Sequence, residues 1–324
     1  MKNLTVSLVI GFVLAGQASL AGAQDFPNKP VRMIVAYPPG SGPDLISRAV
    51  GNAMTGNLGQ PIVIENRAGS GGVLAIQELT RAAPDGYTLF SADAAHWAIY
   101  PALRPGVYDP QKDMAPVALI NTGSYYMIVQ DSFPARNLQE FIAVVKANPG
   151  KFSYGSSGIG TVQHLAVESF DAALGLSMLH IPFKGSAQQV AALLGGQISI
   201  MVAGTSSATA QLKSGQLRLI AGTAAQRTRA APNIPSIAEA QAGLAELDFR
   251  AEGGYFVPSG TPKAIIEKLA AGIQRAADNA EVIRRIEGIG LEVQFGSAEQ
   301  LANVVRGDVA RYAKAVKISG AKID

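Results

Sequence analysis

Five short segments carry the residue types that could hold an anion. They are Pro38-Pro-Gly-Ser-Gly-Pro-Asp44, Ser91-Ala-Asp-Ala-Ala-His96, Gly155-Ser-Ser-Gly-Ile-Gly-Thr161, Lys184-Gly-Ser-Ala187 and Gly204-Thr-Ser-Ser207. Each follows an apolar run of strand length and opens a stretch of helix length. The first N–H groups of a helix have no partner inside it and mark the positive end of its dipole. Such turns therefore favour a negative charge, by roughly 0.3–1 kcal/mol each. Glycine lets the main chain come close to a ligand, and serine or threonine adds a hydroxyl. Together the five turns describe a receptor for a carboxylate-sized group, built mostly from backbone amides. The same residues are also good helix caps, which explains any one turn taken alone.

The individual side chains admit two readings each. Asp44, in a first helical turn, reads as a carboxylate that favours the dipole and pins its loop, or else as an acid catalyst. His164, one turn into a helix after Thr161, is a structural or ligand-bordering imidazole, or a base with no assignable carboxylate partner. Lys184 is a solvated loop lysine or a countercharge for an anion. Ser156 and Ser157 lie outside the G-x-S-x-G frame that exposes a nucleophile. No Walker motif, G-x-G-x-x-G or H-E-x-x-H occurs. The chain has no Cys and only His96, His164 and His180. Thiolate or histidine-rich metal sites, disulfides and a cysteine nucleophile are therefore excluded. No catalytic residue, metal or cofactor is expected.

The elements that must position these turns follow from periodicity. Strands are expected at Val31–Ala36, Pro61–Glu65, Tyr87–Phe90, Val117–Ile120, Tyr126–Val129, Phe152–Tyr154, Met178–Pro182, Ile198–Ala203 and Leu217–Ala221. Between them lie helix-length segments, among them Asp44–Leu58, Val73–Ala82 and one begun by Asn137 and Glu140. Near the end, Thr261-Pro262 predicts a cap with proline at the first helical position, and Ser297 with Gln300 predicts a second capped helix. This alternation implies an α/β protein with parallel sheets covered on both faces.

The chain has 324 residues, 48% hydrophobic and 16% charged, with a net charge of +3. That is long for one ordinary core, so two domains, or one large α/β domain, are expected, and the apolar fraction rules out disorder. No basic block typical of nucleic-acid binding is present. Lys2, the apolar run Leu4–Leu14 and Ala21-Gly-Ala23 predict a secretory leader cleaved after Ala23. The remainder is expected to be exported and soluble.

Longer blocks are more specific. Lys29 to Asp44, Gly59-Gln-Pro-Ile-Val-Ile-Glu-Asn-Arg-Ala-Gly69, Pro84-Asp-Gly-Tyr-Thr-Leu89, Tyr154 to Thr161, Ile181-Pro-Phe-Lys-Gly185, Asn233 to Ala240 and Pro258-Ser-Gly-Thr-Pro262 occur in this order over nearly all of the chain. In these it resembles the Bug-type extracytoplasmic solute receptors, the substrate-binding components of tripartite tricarboxylate transporters. The resemblance implies a two-lobed periplasmic-binding-protein type II fold, each lobe a mostly parallel sheet flanked by helices. Residues 1–23 would be the leader, 24–122 plus 224–324 one lobe, and 123–223 the other. Asn121–Tyr125 and Ala221–Ala224 would form the hinge. It further implies a periplasmic receptor that takes a small carboxylate from solution and serves membrane permease subunits; a monomer is the default expectation, and the charge pattern predicts no nucleic acid partner.

Carried onto this chain, the binding residues would be Tyr37, Gly40, Ser41, Gly42, Asp44, Ser91 and Asp93 from the first lobe. The second lobe would add Ser156, Ser157, Thr161, His164, Lys184, Gly185, Ser186, Ala187, Ala203, Gly204 and Thr205. Two departures stand out. Ser41 occupies a place where the family usually has glycine, and Glu252 stands where a tryptophan is common. With Asp93, Glu252 disfavours a highly anionic ligand if that position borders the cleft. Two other functions compete: a sensor that signals to a membrane receptor, and an exported hydrolase using Ser156 or Ser157.

Overall fold

The computed structural model describes residues 26–69 and 72–322; the expected leader and its cleavage after Ala23 lie outside the described residues. The strands are β1 (Val31–Val35), β2 (Ile62–Asn66), β3 (Thr88–Asp93), β4 (Met114–Thr122), β5 (Tyr126–Gln130), β6 (Ser153–Ser156), β7 (Leu179–Pro182), β8 (Ile200–Ala203), β9 (Leu217–Gly222), β10 (Gly253–Pro258) and β11 (Glu292–Gly296). The longer helices are α1 (Gly42–Leu58), α2 (Val73–Thr80), α3 (Leu138–Lys146), α4 (Val162–Leu174), α5 (Ser186–Leu194), α6 (Lys263–Ala277), α7 (Ala280–Gly288) and α8 (Ala298–Ser319). One sheet has the order β11-β4-β10-β3-β1-β2 and the other β7-β6-β8-β5-β9.

Both sheets are mostly parallel in strand direction, with reversed strands that periodicity does not show. In the first, β10 runs against β3 and β4, and β11 against β4. In the second, β5 runs against β8 and β9. The reason is connectivity. The chain leaves β4 at Thr122 and begins β5 at Tyr126, so β5 must start at the crevice where its neighbours end. β10 starts likewise on the return journey. β10, β11 and α7 have no counterpart among the sequence expectations; in β10, Gly253, Gly254 and Pro258 are residues that strands usually avoid. Gly254 is instead required by packing: a Cβ there would lie 2.9 Å from Leu301 and 3.0 Å from the carbonyl oxygen of Ala118.

Three connecting segments lie side by side between the sheets. The Thr223 N–H donates to the Tyr125 oxygen at 2.9 Å, the Phe249 N–H to the Thr223 oxygen at 2.9 Å, and the Ala251 N–H to the Gly123 oxygen at 3.1 Å. The third of these, Phe249–Ala251, has no counterpart among the sequence expectations. In the stretch before it, Ala231 and Ile234 pack on the core cluster of Tyr126, Ile128 and Met201, while Arg229 pairs with Glu292 of β11 and Glu246 with Lys314 of α8.

Packing follows the helical period. Leu301, Val305 and Tyr312 of α8 are buried, as are Ile265, Leu269 and Ile273 of α6. Each such side chain contributes about 1.5–3 kcal/mol through removal from water. Asn137 and Ser297 cap α3 and α8 as the sequence predicts. Thr261 does not cap α6: its hydroxyl turns back to the Pro258 oxygen at 2.7 Å, and Pro262 takes the cap position. Among the described residues no helix is long and apolar enough to cross a membrane.

Candidate functional site

Between the sheets lies a cavity of about 500 Å³, lined from both sides. The turn after β1 is held by Asp44, which is buried and accepts from the Gly40 N–H at 2.8 Å, Asn66 Nδ2 at 2.8 Å and Arg48 Nε at 3.0 Å. Burial opposes its charge, but these donors outweigh burial and hold its carboxyl below the usual range. Asp44 is thus the loop clamp. Gly40, in the left-handed region at φ 83°, completes the turn. Ser41 precedes α1, and its buried Oγ has no hydrogen-bond partner among the described residues. Gly42 packs toward Ile289. None of these four lines the cavity, whereas Tyr37 does.

Ser91 and Asp93, at the end of β3, also line it. Asp93 accepts from the Tyr37 hydroxyl at 2.5 Å and the Ala95 N–H at 3.0 Å, and lies 2.9 Å from His96 Nδ1. Burial works against its charge, yet His96 and these donors keep its carboxyl below the ordinary carboxylate range.

On the opposite wall the turn after β6 splits its two serines. Ser156 is fully buried, with Oγ 2.6 Å from His180 Nε2 and bonded to Gly158. Ser157 lines the cavity. Its Oγ accepts from Gln163 Nε2 at 3.4 Å and Gln189 Nε2 at 3.3 Å. With both lone pairs engaged, its own proton is left for an acceptor. Thr161 caps α4 and lines the cavity. His164 does not; its Nδ1 accepts the Gly160 N–H at 3.1 Å and its ring stacks on His180 at 4.0 Å. Burial pushes its pKa down to about 4, so it is a neutral prop beneath the loop.

Of the turn before α5, only Ser186 reaches the cavity; Lys184 and Ala187 are exposed and Gly185 precedes the helix. No side chain caps α5, which leaves its first N–H groups available to a ligand. Ala203 and Gly204 line the wall; Thr205 does not, although Ser206 and Ser207 do.

Sequence reasoning missed the contribution of the connecting segments and of Tyr100. Asn121, Ser124, Tyr125 and Arg250 line the cavity, as does Glu252, already conspicuous as a departure from the family. Arg250 is the one Lys or Arg on the wall among the described residues. Its Nε contacts both Asp248 oxygens, at 2.8 and 3.0 Å. The charged groups of the wall thus lie at the end of β3 (Asp93) and on the connecting segment into β10 (Arg250 and Glu252), whereas the second sheet supplies hydroxyls, amides and helix N-termini.

The buried Ser156–His180 pair resembles half of a catalytic triad. It lies outside the cavity lining, and His180 stacks on Tyr154 and His164 with no carboxylate hydrogen-bonded to it among the described residues. Nor do those residues include a group of three His, Asp or Glu arranged to hold a metal ion.

Two α/β lobes closing on a crevice at the carboxyl ends of their strands define a two-lobed solute-binding protein. Residues 46–320 match the tripartite tricarboxylate transporter family receptor, and the chain belongs to that family. It is 30% identical to Protein BugT of Bordetella pertussis over 327 residues, spanning 100% of this chain and 99% of BugT. Among solved structures it is similar to MatC of Rhodopseudomonas palustris with bound malate, at 31% identity, TM-score 0.73 and coverage of 90% of this chain and 100% of MatC. It is also similar to R. palustris Rpa4515 with adipate, at 26% identity, TM-score 0.76 and coverage of 92% and 99%.

Proposed function

We propose that this protein is a periplasmic receptor that captures a small carboxylate-bearing solute in the inter-lobe cavity and delivers it to a membrane permease, breaking no bond in it. The observation that carries this reading is the second-lobe wall. The free Ser157 proton, the N-termini of α4 and α5 and the turn at Gly204 converge there on one cavity. Each is a donor, none is a charge, and a helix N-terminus facing a cavity is an anion site. The malate and adipate bound by the two similar proteins agree with this chemistry.

In this account the leader is removed after Ala23 and the mature protein works as a monomer. The lobes comprise 24–122 plus 224–324 and 123–223. They turn about the three connecting segments. Closure is favoured only by a ligand that touches both walls at once.

Calorimetry of the mature chain against malate, adipate, citrate and small amino acids tests the proposal. At least one is expected to bind near micromolar, about 8 kcal/mol. Ser157→Ala should weaken that binding about tenfold, and Lys184→Ala should leave it unchanged. Absence of binding by every carboxylate would contradict the proposal. Loss of uptake in a deletion strain tests delivery to a permease.

A further inference from the structure

Glu252 is an anomaly in an anion receptor. Its side chain is only 6% exposed, lines the cavity and receives no hydrogen bond among the described residues. The nearest cation, Arg250 Nη1, is 3.9 Å away and that guanidinium is already engaged by Asp248. Behind this pair, Asp308 accepts the Trp97 indole N–H at 2.8 Å and pairs with Arg311, which stands 3.7 Å from Asp248. The cluster thus holds the carboxyls Asp248, Glu252 and Asp308 against the guanidiniums Arg250 and Arg311. It is one positive charge short, and the carboxyl without a hydrogen-bonded partner is the one that meets the cavity.

We infer that Glu252 is the cavity's receptor for a cationic amine, so that the preferred solute carries an ammonium group as well as a carboxylate. The inference rests on the carboxylate reading above and deepens it. The carboxylate sits against the uncharged donors of the second lobe, and the ammonium completes the acidic wall of the first. Such a solute bridges the two walls, as closure requires. A dicarboxylate instead sets its second negative charge against Glu252 and Asp93, which is costly in a closed cavity. Burial, reinforced by the charge of Asp308, raises the Glu252 carboxyl to about 7, as expected for an acid awaiting a counterion. Asp248 raises it further while Arg250 and Arg311 oppose the shift, and Tyr312 is the other titratable neighbour.

The experiment is calorimetry on the mature chain with matched pairs at pH 8: succinate against L-aspartate, glutarate against L-glutamate, and butyrate against 4-aminobutyrate. At least one amine-bearing member should bind about tenfold or more tightly than its amine-free counterpart. Glu252→Gln should remove that preference while leaving the amine-free member as tight or tighter. The variant should also unfold at the same temperature or higher, since it discards the excess charge. The pairwise comparison in the unaltered protein stands even if the variant misfolds. Amine-free members binding as tightly as their partners would overturn the inference and leave the carboxylate reading intact. Binding by no carboxylate, with or without an amine, would overturn both.

Discussion

Ser206 of the second lobe donates its hydroxyl to the main-chain oxygen of Ile289 in the first, at 2.9 Å. Beside it Gly290 sits at φ 79°, where a Cβ would come within 2.8 Å of Thr205 Oγ1 and 3.4 Å of the Ser206 nitrogen. Apposition of the two lobes along this rim therefore needs glycine for conformation and for space. Gly290→Ala is predicted to prop the lobes apart and weaken solute binding about tenfold. Small-angle scattering should show a larger radius of gyration that solute no longer reduces. Unchanged affinity would mean that the rim plays no part in closure.

Asp44 joins three donors beneath the first-lobe turn, so its loss leaves buried groups unpaired. Asp44→Ala is predicted to cost about 2–4 kcal/mol in denaturant unfolding. Its carboxyl is held below the ordinary 3.8, so this contribution is present above that pH and lost as acid protonates it in the fold. A destabilisation within about 0.5 kcal/mol would show that the loop is held by other means.

The stacked His164 and His180 give a pH signature. Burial lowers both to about 4 from 6.5, with their mutual charge adding at His180. The unfolded chain therefore takes up protons near 6.5 that the fold refuses until about 4, and stability falls with acid across that window. His164→Phe keeps a ring in the stack and removes one proton site. It should be less stable than the native chain at neutral pH, with the gap narrowing as pH falls from about 6.5 to about 4. Parallel pH curves for the two proteins would refute this.

Asp171 predicts the opposite sign. Its Oδ2 accepts the Met178 N–H at 3.0 Å, but its buried Oδ1 has no partner among the described residues. Burial, with the nearby Glu168, pushes the carboxyl up to about 7 from 3.8. The fold binds this proton before the unfolded chain does, so the group contributes stability that is complete below 3.8 and lost as pH rises through about 7. Relative to Asp171→Asn, the native chain should gain stability as pH is lowered across that range. Thermal unfolding at a series of pH values checks both signs.

The strand-turn-helix units were legible because each carries its own local signals. An apolar run, then glycine and a hydroxyl residue, then a capped amphipathic helix names its element without reference to the rest of the chain. That reading located Ser157, Thr161, Ser186 and Gly204. It could not tell Ser157 from Ser156, which differ only in which side of the sheet edge they face. It offers the loop-pinning reading of Asp44 and the structural reading of His164, but cannot choose between these and contact with a solute, because burial is not written in local pattern. Arg250 and the reversed β10 escaped for a different reason. Their roles follow from where the chain re-enters the first lobe, a long-range relationship that local pattern does not encode. Glu252 was flagged only because a different residue was expected there.

Main-chain and hydroxyl donors of the second lobe gripping a carboxylate is the claim on which the rest depends. Backbone amide shifts of the ¹⁵N-labelled mature chain, followed during titration with whichever carboxylate calorimetry shows to bind, test it most directly. The largest perturbations are expected at Val162, Ser186 and Gly204, with smaller ones at the connecting segments around Ser124 and Arg250. Perturbations confined to surfaces away from the cavity, with those three amides unmoved at saturation, would contradict it.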